Sequence, residues 1–109
     1  MGDSDGAVAD YDQAIELNPD YAPAYHNRGT LRRQTGDLDV SLADLDDAIR
    51  LRPDRADIFT SGGLTRGKLG DSDGALADYN EALRLNPDLA DARSSRDKIL
   101  KSIAKRSKS

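Results

Sequence analysis

Apolar and small residues recur along this chain at steps of three and four, and the pattern itself repeats every 34 residues. Over residues 3–17 the apolar positions are Ala7, Val8, Tyr11, Ala14, Ile15 and Leu17, the spacing of one helical face. Residues 38–51 repeat it with Leu38, Leu42, Leu45, Ala48 and Ile49, and residues 72–85 repeat it again. Residues 2–19 and 70–87 differ at only five of eighteen aligned positions, with 36–53 a looser third copy. Gly2, Gly36 and Gly70 keep the same spacing, as do Ala14, Ala48 and Ala82, and Pro19, Pro53 and Pro87. A fixed period of this length predicts a solenoid in which each unit buries its apolar face only against its neighbours.

The breaks between copies set the element ends. Pro19, Pro53 and Pro87 stop helices, because proline lacks an amide hydrogen and pushes the preceding residue out of helical geometry. Asp3 or Ser4 is expected to cap the first helix, and Asp20 the second, with Pro23 tolerated in its first turn. The second helix spans 22–34, presenting Ala24, Tyr25, Leu31 and the small Gly29, and Gly36 closes it as a left-handed terminator. Further helices are predicted over 38–51, 56–69 and 72–85, and a last one from about residue 89 with Ala92, Ile99, Leu100 and Ile103 on one broad face. The helix over 56–69 carries Gly62, Gly63 and Gly67, each costing roughly 1 kcal/mol relative to alanine. It is expected to be the softest element, although close helix packing explains Gly63.

Composition narrows the chemistry. With 109 residues and 5% aromatic content the chain supports one small domain of layered Ala and Leu, not a large aromatic core. It has no cysteine, which excludes disulfides, thiolate catalysis and sulfur-ligated zinc. His26 is the single histidine and lacks the cluster that a transition metal needs. The aspartates at 3, 5, 37, 39, 71 and 73 do not form a cation loop and read as caps and partners of the helix dipole. No serine, histidine and acid trio and no phosphate-cradling glycine loop occurs, so the expectation is a non-enzyme without metal or cofactor. There is no apolar run long enough for a membrane span and no basic, apolar leader, and a cytoplasmic location is expected.

Charge is distributed unevenly. Residues 1–92 hold 9 basic and 19 acidic groups, net −10, whereas 93–109 hold 7 basic and one acidic, net +6. The basic end could neutralise phosphates, but it has no interleaved aromatics and follows an acidic body. A solubilising cap is the expected role, with nucleic acid not expected as a partner.

The residues resemble the tetratricopeptide repeat family. The pattern matches in a bulky residue early in the first helix (Tyr25, Phe59), a small one for close contact (Gly29, Gly63) and a glycine turn (Gly36, Gly70). In the second helix it matches in an early small residue (Ala7, Ser41, Ala75), a large one mid-helix (Tyr11, Leu45, Tyr79), and then Ala14, Ala48 and Ala82. Arg28 and Gly62 depart from it, standing where the family usually has a large apolar residue. The resemblance implies an all-α, right-handed superhelical solenoid of antiparallel helix pairs. Its parts would be a half-repeat over 1–21, repeats over 22–55 and 56–89, a capping helix over 90–105 and a basic tail over 106–109.

The resemblance also implies a concave groove lined by the first helices, holding an extended peptide or a helix. Carried onto this sequence, the groove would take Pro23, His26, Asn27, Thr30, Arg33 and Gln34 from one helix. From the next it would take Asp57, Thr60, Ser61, Leu64 and Lys68, and from the capping helix Ser94, Ser95, Lys98 and Lys101. Asn27 matches the asparagine that many members use to hold a peptide backbone or terminal carboxylate. Asp57 and Ser61 stand where the chaperone-binding members carry lysine and arginine, so that clamp is not reproduced. The expected function is a non-catalytic scaffold for a protein or peptide partner.

Met1 aligns with Leu69, so the chain is read as starting mid-repeat, without the first helix of that pair. Val8, Tyr11 and Ile15 would then lack cover, and each such side chain forfeits roughly 1.5–3 kcal/mol when left wet. Cover would come from the absent helix in a longer parent protein or, in this chain alone, from another copy, so self-association through this end, giving a homo-oligomer, is a further expectation.

Overall fold

The computed structural model describes residues 3–107, and every predicted helical segment forms. The helices are α1 (Asp3–Leu17), α2 (Ala22–Gln34), α3 (Leu38–Leu51), α4 (Ala56–Lys68), α5 (Ser72–Leu85) and α6 (Ala90–Ser107). No strand occurs among the described residues. α6 continues through Ser107, beyond the expected end at 105.

Local chemistry explains the ends. Gly36 and Gly70 follow α2 and α4 with φ of 91° and 85°, a left-handed geometry that L side chains resist. Each turn returns two amides to the helix it leaves. Asp37 N donates to Arg32 O at 2.8 Å and Gly36 N to Arg33 O at 3.1 Å, while Asp71 N donates to Arg66 O at 2.9 Å and Gly70 N to Gly67 O at 3.1 Å. After α1 and α5, Asn18 Oδ1 accepts from the Asp20 amide and Asn86 Oδ1 from the Asp88 amide, both at 3.2 Å. These side chains close the Asn-Pro-Asp turns.

The caps differ in part from expectation. The N-cap of α2 is Tyr21, without a side-chain bond, and Asp20 lies back in the turn that Asn18 organises. Asp71 does cap α5, accepting from Gly74 N at 2.9 Å. Asp37 holds the same place before α3 but accepts from the Thr35 hydroxyl at 3.3 Å instead. The expected cap by Asp3 or Ser4 rests on side chains outside the described residues.

α1–α3 and α4–α6 form two compact units that divide after Pro53. In the first, α2 packs against α1 and α3. Leu45 and Ala48 of α3 are buried, as are Ala22, Ala24 and Gly29 of α2. The Ser41 hydroxyl donates to Gly29 O at 2.6 Å and ties the two helices together.

In the second unit, α5 packs against α4 and α6, and α4 also touches α6. Its core is Ala75, Tyr79, Ala82 and Ala92, with Ala56, Phe59, Leu83, Leu89 and Ile99 against it. α4 is continuous despite its three glycines. A Cβ at Gly63 would sit 2.5 Å from Tyr79 Cε1, so the bare backbone there is what admits the ring. Leu100 was expected on the inward face of α6 but is 45% exposed. Its counterparts one and two periods earlier, Arg66 and Arg32, mark a face that points toward a second helix of the pair, and α6 has none there among the described residues.

Candidate functional site

In the second unit, α4 and α6 frame a shallow cleft of about 280 Å³ lined by Leu64, Gly67, Lys68, Tyr79, Ser95, Lys98 and Ile99. The buried Tyr79 forms its floor, and Leu64 and Ile99 are half-buried. Lys68 and Lys98 are exposed, and neither makes an ion pair among the described residues. Two cations over an apolar floor suit a segment carrying both acidic and apolar side chains. Lys98 also joins Ser94 and Lys101, with Arg93 and Asp97, along an exposed depression of α6 of about 390 Å³.

The structure therefore brings Leu64, Lys68 and Lys98 together, and sets Ser94 and Lys101 beside them on α6. Thr60 is half-buried and spends its hydroxyl on Ala56 O at 3.0 Å. Ser61 is buried at 9% exposure, so it is not open on α4 in the way Lys68 is. In the first unit, α2 leaves Asn27 and Gln34 exposed, with His26, Thr30 and Arg33 half-buried. Asn27 and Ser61 occupy equivalent positions 34 residues apart yet differ in burial.

A second constellation was missed from the sequence. Arg28 donates from Nε and Nη2 to the two carboxylate oxygens of Asp44, at 3.0 and 2.7 Å. Its Nη1 reaches Asp12 Oδ1 at 2.6 Å, and Arg32 Nη1 reaches Asp44 Oδ2 at 2.9 Å. Asp44 is only 3% exposed, and the guanidinium of Arg28 lies 5.7 Å from the Tyr25 ring centroid. The bond to Asp44 raises the pKa of Arg28 above the usual arginine range; burial opposes this and Asp12 adds to it. Through these bonds one charged arginine joins α1, α2 and α3.

One period later, Arg66 Nη1 donates to Asp78 Oδ2 at 2.7 Å, the counterpart of Arg32 with Asp44. That recurrence of Arg and Asp was the available signal. Arg28 itself has no counterpart one period later, where Gly62 stands.

On α1, Tyr11 is half-buried where Leu45 and Tyr79 are buried, and Ala7 and Ala14 are likewise more open than their counterparts. Val8 and Ile15 are half-buried, but so are Leu42, Leu76, Ile49 and Leu83 in the same register. The shortfall in burial on α1 therefore centres on Ala7, Tyr11 and Ala14.

The sequence matches a family model for the TPR repeat over residues 1–32, and one for the tetratricopeptide repeat over 22–55 and 58–89. The chain belongs to the tetratricopeptide repeat family. Its six helices and its structural likenesses make it an all-α TPR-like helical solenoid. The first TPR of Spaghetti (RPAP3), bound to the HSP90 peptide SRMEEVD, superposes with a TM-score of 0.91 at 23% identity, over 94% of this chain and 82% of that one. The TPR domain of Arabidopsis OM64 gives 0.88 at 25% identity, over 92% and 83%. The first TPR domain of human RPAP3, solved by NMR, gives 0.92 at 23% identity, over 99% and 85%. A search of curated proteins finds no match.

Among the described residues no helix of this TPR chain is long and apolar enough to cross a membrane. Nor do three or more His, Cys, Asp or Glu side chains among them gather as metal ligands would.

Proposed function

We propose that this chain is a non-catalytic protein-interaction module that holds a peptide or helix of mixed acidic and apolar character. The observation that carries the reading is the α4 and α6 cleft, where Lys68 and Lys98, without ion-pair partners among the described residues, flank Leu64, Tyr79 and Ile99. Lys68 and Lys98 set the specificity of this cleft. Support also comes from the fold, since a TPR domain of the same architecture is bound to the peptide SRMEEVD.

This chain would grip such a segment differently from a basic clamp at positions 57 and 61, because Asp57 is acidic and Ser61 is buried. Affinity would come from the apolar floor and the α6 lysines. Fluorescence anisotropy with labelled SRMEEVD as the probe tests this directly. Binding that falls about tenfold in a Lys68→Ala/Lys98→Ala variant supports the reading, as two lost exposed ion pairs together are worth about 1.4 kcal/mol. Equal affinity in the variant, or no binding by the parent chain, rejects it.

A further inference from the structure

α6 and α1 are complementary halves of the repeating pair. In register, Arg96, Asp97 and Leu100 of α6 match Arg28, Gly29 and Arg32 of α2, the face that meets α3. Among the described residues nothing of second-helix register covers that face of α6. α1 has second-helix register, with Asp10 and Tyr11 matching Asp44 and Leu45, and among the described residues it packs only on α2.

The charges fit as well. α1 carries five acidic residues and no basic one, whereas α6 carries six basic and two acidic. Arg96 holds the position of Arg28, but among the described residues its buried Nε has no acceptor and its Nη2 meets only Asp97, at 3.5 Å. Asp10 is exposed and makes no ion pair among the described residues, while Asp44, its counterpart, is the acceptor for Arg28.

We propose that α6 of one copy takes α1 of another as its second helix, so that chains associate head to tail through Arg96 and Asp10. Asp97 stands where Gly29 and Gly63 allow close approach. A side chain at that place keeps the two helices further apart than α2 and α3. The contact is thus charge-led, with Leu100 and Tyr11 gaining apolar cover. Such a joint uses two different surfaces, so it closes a ring or extends, and does not stop at an isologous dimer. It does not depend on the peptide-binding reading, which uses Lys68 and Lys98.

Sedimentation velocity of the 109-residue chain across a concentration series, at low and high salt, reads the outcome. The average mass is expected to rise with concentration and to drop toward the monomer as salt screens the pair. Arg96→Glu and Asp10→Arg are each expected to weaken association by about tenfold or more, and an equimolar mixture of the two variants to regain it. Circular dichroism checks that both variants keep their helix content, with Arg96→Gln as the milder replacement. A parent chain that stays monomeric at every concentration overturns the proposal. So does association that is indifferent to Arg96, or a mixture that fails to recover.

Discussion

The two hairpins, α2 with α3 and α4 with α5, share one period but are fastened differently. In the first, charge and a hydroxyl join the helices: Asp44 receives Arg28 and Arg32, and Ser41 bonds Gly29 O. In the second, Gly62 replaces Arg28, Ala75 replaces Ser41, the Tyr79 ring lies on Gly63, and Arg66 pairs with Asp78. The backbone period constrains only a few positions, and side chains between them can be exchanged as sets. An arginine at 62 would bring a long charged side chain into a pair that closes by ring packing, just as a glycine at 28 would leave Asp44 with one arginine fewer.

The largest expected difference lies in the acids. Asp44→Ala leaves Arg28 and Arg32 without their shared acceptor in a nearly buried place, a loss of about 2–3 kcal/mol after allowing for the partial exposure of both arginines. Asp78→Ala, with a more solvated partner pair, costs about 1 kcal/mol. Urea unfolding of both variants measures this, and an equal loss would erase the distinction between the hairpins. Next comes Gly63→Ala, which pushes a methyl group into the Tyr79 ring and costs about 1–3 kcal/mol by overpacking. Its thermal midpoint should fall. Gly67→Ala sharpens the same point with the opposite sign. A Cβ there meets only Ile99 Cδ1, at an ordinary 4.0 Å, so relief of the glycine penalty raises stability by about 0.5–1 kcal/mol.

Most of the fold was legible because its determinants are periodic. The apolar steps, the prolines and the left-handed glycines each repeat in register, and repetition turns weak local preferences into a firm reading. Gly63 could be assigned to close packing for the same reason, since Gly29 recurs before it. The candidate site was less legible. Asn27 and Ser61 share a register position, so the sequence assigned them one role, yet burial separates them. The bonds of Arg28 span sixteen residues both back to Asp12 and forward to Asp44, on helices whose rotation only three-dimensional packing fixes. Arg28 looked like a departure from the family pattern because a charged residue stands in the usual apolar place, and only the fold shows the acids that its head meets.

The lesson of α1 is similar. It shares most of its sequence with α5, and yet Tyr11 stays half open where Tyr79 is buried. Burial in this chain is conferred by the neighbouring helix more than by the residue itself.

The turns at Gly36 and Gly70 have a chemical consequence. Their backbones already adopt the conformation natural to amino acids of opposite chirality. A chain assembled by peptide ligation could carry D-alanine at these two corners, trading the floppiness of glycine in the denatured ensemble for a monomer prebent to the required hand. The bend at each corner would then be set by the chirality of one residue.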